Sequence, residues 1–263
     1  MASTLPAGTV SSLNYGHKLV HVFSGLLSSA IATALYPQMI ELVSHDRKEE
    51  LGRLVVRIIN IFCVLMLPIT LACVLFRTEL VSAVFQRGAF DQSSTASTAG
   101  VFALYSLGLF FVACNTVISN LFYAHGDTRT PMLISTANLG INVALNLVLI
   151  HFWGINGLAL ATSLSAAITF FMRLQAAKKH VALKLRPAAV TALKVTAASA
   201  VACLSPRLLF WLYPVNKYLV LLASALIGVP LYLVMVRLLR VEEIKDLLKL
   251  MKKKMKRSKP SEP

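Results

Sequence analysis

Three asparagines, Asn138, Asn142 and Asn146, recur at intervals of four residues within one long apolar stretch. In a helix, this spacing places their amides along a single face. Thr162 stands near the start of the next apolar stretch, where its hydroxyl can face the same amides across a short turn. Amide and hydroxyl oxygens are hard ligands that suit Na⁺, and the same groups form hydrogen bonds between packed membrane helices. The pattern therefore predicts either a cation site or a polar packing seam.

Three basic residues, Lys18, Arg57 and Lys194, also lie inside apolar stretches. A charged residue within a membrane helix either marks a substrate pathway or extends its side chain to the interface. Arg57 and Lys194 each lie within about two turns of the end of their stretch, which favours the second interpretation. Lys194 can also line a groove. For Lys18, which opens the first stretch, both interpretations stay open.

Seven apolar stretches carry these residues, and most are close to the length of about 20 residues that a membrane-spanning helix needs. They cover residues 18–40, 54–76, 100–124, 132–153, 158–172, 187–213 and 218–236. The segment from Gly154 to Gly157 predicts a tight turn between the fourth and fifth stretches. Residues 241–263 have apolar residues at helical spacing and many lysines, which predicts a basic amphipathic tail lying on anionic lipid.

The composition agrees with a membrane protein and argues against other classes. Of 263 residues, 57% are hydrophobic and 14% are charged, with a mean hydropathy of +0.71. The formal net charge is +15, but the basic residues lie between the apolar stretches and in the tail, a pattern typical of lipid headgroup contact rather than nucleic-acid binding. The chain has no HExxH, GxSxG or Walker A motif, which argues against an enzyme such as a membrane-embedded synthase. We predict no metal centre and no cofactor other than Na⁺.

Lysine and arginine are distributed unequally between alternate loops, which predicts the orientation. One side collects the basic residues of 41–53, 125–131, 173–186 and the tail, whereas the other has few. The C-terminus is therefore expected in the cytoplasm, and the first span is expected to begin on the outside.

Four segments resemble the second half of the MurJ/MviN family. They are residues 5–15 (LPAGTVSSLNY), 85–90 (FQRGAF), 122–131 (FYAHGDTRTP) and 157–163 (GLALATS), in the family's order and at similar spacing. The family consists of lipid II flippases within the multidrug, oligosaccharidyl-lipid and polysaccharide exporter group. The resemblance extends over nearly the whole chain and weakens over the last two spans and the tail.

The resemblance implies an all-α integral membrane fold with two lobes and fourteen helices around a central cavity. This chain would supply helices eight to fourteen, which is the C-terminal lobe without its first helix. Residues 1–17 would be an outer lead-in, residues 18–240 the transmembrane lobe and residues 241–263 the cytoplasmic tail. Because even residues 2–10 resemble interior family sequence, we expect a fragment, a misassigned start or one half of a split protein.

The resemblance also implies roles for the residues above. Lys18 occupies the position of a family arginine that faces the cavity, where a cation can hold the pyrophosphate of lipid II, although lysine lacks the two-pronged guanidinium. Some members hold sodium between the helices that carry Asn142 and Thr162. An acid is common at the position of Asn146, and another comes from the missing helix. Without either carboxylate, polar packing is favoured over sodium binding.

The expected function is transport of lipid II across the bacterial cytoplasmic membrane by alternating access. The expected partners are the lipid-linked substrate, the missing N-terminal lobe or a split-protein partner, and anionic lipids at the tail. Two alternatives stay open. One is a flippase of the same fold for another lipid-linked glycan, and the other is an inactive fragment or scaffold without the first lobe.

Overall fold

The computed structural model describes residues 8–88, 90–212 and 217–239, and within these residues the chain forms α-helices and no strand. The helices are α1 (Thr9–Ser44), α2 (Lys48–Leu75), α3 (Arg77–Phe85), α4 (Gln92–Ser106), α5 (Leu109–Ala124), α6 (Arg129–Ala177), α7 (Arg186–Leu212) and α8 (Lys217–Leu238). The prediction of an all-α membrane fold is confirmed. The lead-in before residue 8 and the predicted amphipathic tail lie outside the described residues.

Five described helices, α1, α2, α6, α7 and α8, are long and apolar enough to cross a membrane, and α4 with α5 makes a sixth if the pair is one span. The helix α6 has 49 residues, which as a straight rod would be about 74 Å long, more than twice the thickness of a bilayer core. The count of seven spans stays a prediction.

The helix α6 is folded in two at Gly154, which has φ 53° and ψ −129°. This left-handed backbone conformation suits glycine because it lacks a Cβ. Residues 129–153 therefore form a first arm and residues 155–177 a second arm. The arms approach so closely beyond the turn that a Cβ on Gly157 would lie 2.1 Å from the carbonyl oxygen of Leu149. The chain thus reverses inside the predicted 154–157 turn.

The third apolar stretch is longer than expected and is bent. Its helix begins at Gln92 rather than at Gly100, and α4 meets α5 at an angle of 41°. At the bend, the amide of Gly108 donates to the carbonyl of Tyr105, three residues back, instead of to that of Leu104. The hydroxyl of Ser163 on the second arm donates to the freed Leu104 carbonyl at 2.6 Å. A side chain from another helix thereby satisfies the backbone group that the bend releases, as a membrane interior requires.

One further boundary differs from the sequence prediction. Arg173, assigned to a basic loop, lies in the second arm of α6, which continues to Ala177. The sixth predicted stretch, residues 187–213, forms α7, which continues through Pro206 to Leu212. A proline removes one backbone hydrogen bond and can be accommodated inside membrane helices.

The core lies where α1, α2, α5 and the second arm of α6 pack together. Phe62, Ile118, Leu121 and Phe122 are each 0% exposed there. Around this core, α7 lies along α2, α8 packs on α7, and α4 and α5 both pack on α1. Since lipid is as apolar as these side chains, close packing and hydrogen bonds hold the helices together rather than exclusion from water.

We expect Gly157→Ala to lower the free energy of unfolding by about 1–3 kcal/mol, because the new methyl group must force the two arms apart. Gly140→Ala is the matched control, since a Cβ on Gly140 of the first arm meets nothing within 4 Å. Thermal unfolding of the purified chain in detergent measures both variants. Equal melting temperatures for the two variants would contradict the close approach of the arms.

Candidate functional site

The two arms of α6 are joined by a polar seam made of Asn138, Asn142, Asn146, Ser165 and Thr169. The amide nitrogen of Asn142 donates to Ser165 Oγ at 3.0 Å, and Thr169 Oγ1 donates to Asn138 Oδ1 at 2.8 Å. Asn146 Nδ2 donates to Asn142 Oδ1 at 2.9 Å, within the first arm. The three asparagines thus lie on one face, and two of them bond directly to the second arm.

A cavity of about 510 Å³ opens beside this seam, between α5 and both arms of α6. Asn138, Asn142 and Thr162 line it together, so the structure brings these sequence-predicted residues to one place. Thr162 itself donates to the Leu158 carbonyl of its own helix at 3.1 Å. No carboxylate is found among the lining residues that the structure describes.

Arg173 and Asn115 also line the cavity, and the sequence analysis assigned neither of them to a site. Arg173 Nη1 donates to the backbone carbonyl of Asn115 at 2.9 Å, and Nη2 donates to Ser135 Oγ at 2.8 Å. Asn115 Nδ2 donates to the Ala166 carbonyl at 2.9 Å. Arg173 therefore ties α5 and the first arm to the second arm. The sequence did offer one signal for Asn115, because it is a polar residue within the apolar stretch of residues 100–124.

Three buried polar atoms around the seam lack a hydrogen-bond partner within the described part of the chain: Asn115 Oδ1, Asn146 Oδ1 and Arg173 Nε. The two amide oxygens can accept a hydrogen bond or contact a cation, whereas the guanidinium nitrogen can only donate. An unpaired buried polar atom costs free energy. The region around the seam therefore has two acceptors and one donor that no described residue pairs.

A second candidate region is the polar stripe of α1, a row of exposed residues at helical spacing. Its members are Asn14, His17, Lys18, His21, Gly25 and Ser29. The exposed side of α8 instead carries large apolar residues such as Leu222, Leu226 and Leu233, as a lipid-facing helix does. The Lys18 ammonium lies 5.9 Å from the ring centre of Tyr15. The polar stripe suits an aqueous or protein-covered environment.

The structure does not bring the three predicted basic residues together. About 39 Å of helix separates Lys18 from Ser44 at the end of α1, whereas Arg57 lies about 14 Å into α2 from the turn that follows Ser44. Arg57 is exposed there. Lys194, near the start of α7, donates to the carbonyl of Leu239 at 3.1 Å. Lys18 therefore lies at the opposite end of the helices from Arg57.

The turn before α6 forms a cluster of titratable residues outside the helices. Asp127 Oδ1 accepts a hydrogen bond from the amide of Thr130 at 2.9 Å, in the first turn of α6. Hydrogen bonds from the side chain and backbone of Thr130 lower the pKa of Asp127. Burial, followed by the neighbouring His125, lowers the pKa of His180, although Asp127 opposes this effect. His180, in the loop after α6, contacts His125 and Asp127, in the loop before α6, and so joins these two loops.

Apolar helices, a hairpin that reverses inside one of them and polar groups paired across it define a multi-helix membrane protein. The family model described as lipid II flippase MurJ matches residues 1–229. The chain belongs to this family.

Curated relatives and a solved structure agree with the assignment. The chain is 26% identical over 250 residues to a probable lipid II flippase MurJ of Thermotoga maritima, covering 95% of this chain and 50% of that protein. It is 27% identical over 181 residues to the one from Bdellovibrio bacteriovorus, covering 68% of this chain and 34% of that protein. A solved structure of lipid II flippase MurJ in an inward closed conformation has the same fold, with a TM-score of 0.79 at 23% identity. That similarity covers 92% of this chain and 50% of that one. The chain thus spans at most about half the length of these relatives.

We expect Arg173→Gln to lower the free energy of unfolding by about 1.5–3 kcal/mol, the range for hydrogen bonds made by a charged group. Lys178→Gln, an exposed change close by in sequence, should leave stability unchanged. Ser135→Ala should cost little when added to Arg173→Gln, because the hydrogen bond is already lost. Thermal unfolding of the wild type, the three single variants and the double variant tests the contact, and fully additive losses would contradict it.

Proposed function

We propose that this chain forms one lobe of a transporter that moves lipid II across the bacterial cytoplasmic membrane. The observation that carries the proposal is the family match over residues 1–229, in a chain that has the fold of half a flippase. Lipid II has a polyprenyl tail that stays in lipid and a pyrophosphate-linked headgroup that must be shielded from it. Transport of such a molecule needs a polar surface within the membrane and a conformational change that opens it to each side in turn.

The polar stripe of α1 provides such a surface on this lobe. Its residues are exposed on a membrane helix, and hydrocarbon contact would be costly for Lys18 and for the imidazoles. We place this face toward the central cavity, opposite a second lobe. There the Lys18 ammonium attracts the pyrophosphate as a point charge. Arg57 and Lys194 lie toward the other end and serve at the interface.

The second lobe is supplied by the family sequence that this chain does not contain. Leu133, Leu139 and Phe152 on the first arm of α6 are each more than 60% exposed, so this arm can face either lipid or a helix of the other half. A membrane helix from the other half can cover this arm. The distribution of basic residues between the loops favours a cytoplasmic C-terminus, where the basic tail would meet anionic lipid.

The chain co-expressed with the matching N-terminal half of a family member should restore growth to cells depleted of their flippase. In that assay we expect Lys18→Ala to abolish rescue and Lys18→Arg to retain it, since arginine keeps the charge. Lys178→Ala, an exposed change near the end of α1 that is opposite to Lys18, is the control, and immunoblots verify equal amounts. Rescue by the alanine variant would reduce Lys18 to an interfacial residue. Absence of rescue by the wild-type pair would contradict the transport proposal.

For the polar seam we propose a packing role in preference to sodium binding. Each asparagine of the seam already has a hydrogen-bond partner in the protein, and the cavity is lined by the cation Arg173, which disfavours a second positive charge. Asn115 Oδ1 and Asn146 Oδ1 have no partner among the described residues, and each can accept a further hydrogen bond.

We expect Asn142→Ala to lower the melting temperature of the chain and to leave the sodium response of rescue unchanged. The lost hydrogen bond to Ser165 costs about 1 kcal/mol. Melting curves in sodium and in potassium buffer measure the first effect, and rescue at low and high sodium measures the second. Specific stabilisation of the wild type by sodium, absent from the variant, would identify the seam as a cation site.

A further inference from the structure

Two histidines of the polar stripe are in ring contact on the exposed side of α1. His17 and His21 are one turn apart, with ring centroids 4.4 Å from each other and planes inclined by 77°. The His17 ring also lies 5.4 Å from the ring of Tyr105 on α4. Both histidines are exposed and adjoin Lys18 in the stripe. Imidazole changes its charge near neutral pH, whereas the lysine ammonium does not.

No carboxylate is among the described residues in ring contact with the pair. Titratable residues that pack around this part of α1 are Tyr15 and Lys18 on α1, Cys73 on α2 and Tyr105 on α4. The two phenols are neutral near pH 7, and Lys18 is positive. Two imidazolium rings at this separation would repel each other and Lys18. An anion bound to the stripe offsets this repulsion, because it attracts the positive charge that each added proton brings.

We infer that His17, His21 and Lys18 form a proton-dependent binding site for a pyrophosphate diester. The inference rests on the proposed function, in which this face meets the headgroup of the transported lipid. Lys18 contributes a permanent charge, and the histidines contribute charge and N–H donors only after they take up a proton. A pyrophosphate diester keeps the same charge through the neutral range, so any pH dependence of its binding comes from the protein.

Thermodynamic linkage gives the size of the expected pH effect on the dissociation constant. If binding is coupled to uptake of one proton, the dissociation constant changes by at most about tenfold per pH unit. The change occurs between the imidazole pKa of the free site and the raised pKa of the occupied site. Affinity therefore increases as the pH falls from 8 to 6, and by the same coupling the bound anion favours the protonated form of the histidine pair.

The experiment uses the full chain in nanodiscs of zwitterionic lipid, with histidine labelled at Cε1 for NMR. The probe is UDP-N-acetylglucosamine, a soluble pyrophosphate diester, and N-acetylglucosamine is the control ligand. His17→Gln and His21→Gln assign the two signals and keep an N–H donor that does not titrate. His151→Gln, a change at an exposed histidine of α6, is the matched control protein.

We expect the probe to raise the titration midpoints of His17 and His21 but not that of His151. The dissociation constant should fall about threefold to tenfold from pH 8 to pH 6 in the wild type and in His151→Gln. It should stay constant in the double variant His17→Gln/His21→Gln. Lys18→Ala should bind more weakly at every pH and keep the slope.

Two results would overturn the inference, and they differ in their meaning for the proposed function. Binding that depends on Lys18 but has the same affinity from pH 6 to pH 8 would remove the role of the histidines and leave the proposed headgroup contact intact. An absence of binding by the wild type at every pH would overturn both. Equal binding of the sugar without phosphates would also overturn the inference, since no anion is then recognised.

Discussion

The reversal of α6 at Gly154 is the constraint on which the rest of the structure depends. Its glycine conformation sets the register of the two arms, and the hydrogen bonds between them follow that register. Asn142 meets Ser165, Asn138 meets Thr169 and Ser135 meets Arg173, each pair lying progressively farther from the turn. A shift of one residue in either arm would turn these side chains away from one another and into lipid, where unpaired polar groups are costly.

Hydrogen bonds from the second arm extend this order to the neighbouring helices. Arg173 bonds to the backbone of α5, Asn115 of α5 bonds to the backbone of the second arm, and Ser163 bonds to α4 just before its bend. All three contacts use a backbone carbonyl as the acceptor. Because backbone positions do not depend on side-chain type, such contacts fix the relative placement of helices even where the facing residues are small.

Features with a local cause were predictable from the sequence, and features with a tertiary cause were not. The apolar stretches and the turn at residues 154–157 follow from composition and short-range geometry. The bend at Gly108 depends on Ser163, which is more than fifty residues away. Arg173 looked like a loop residue because its partners, Ser135 and Asn115, become neighbours only after the arms have paired. The family resemblance indicated the fold and the region of Lys18, yet it could not supply the contacts particular to this chain.

The bend between α4 and α5 also lies between the two candidate regions, which are the polar seam of α6 and the polar stripe of α1. The helix α4 is about 22 Å long, so straightening the 41° angle would swing its far end by about 16 Å. Tyr105, which contacts His17, lies in the last turn before the bend, and the hydroxyl that caps the bend belongs to the second arm of α6. Ser163 thus links the hairpin to the helix that contacts the polar stripe, so the angle at Gly108 bears on the position of one relative to the other.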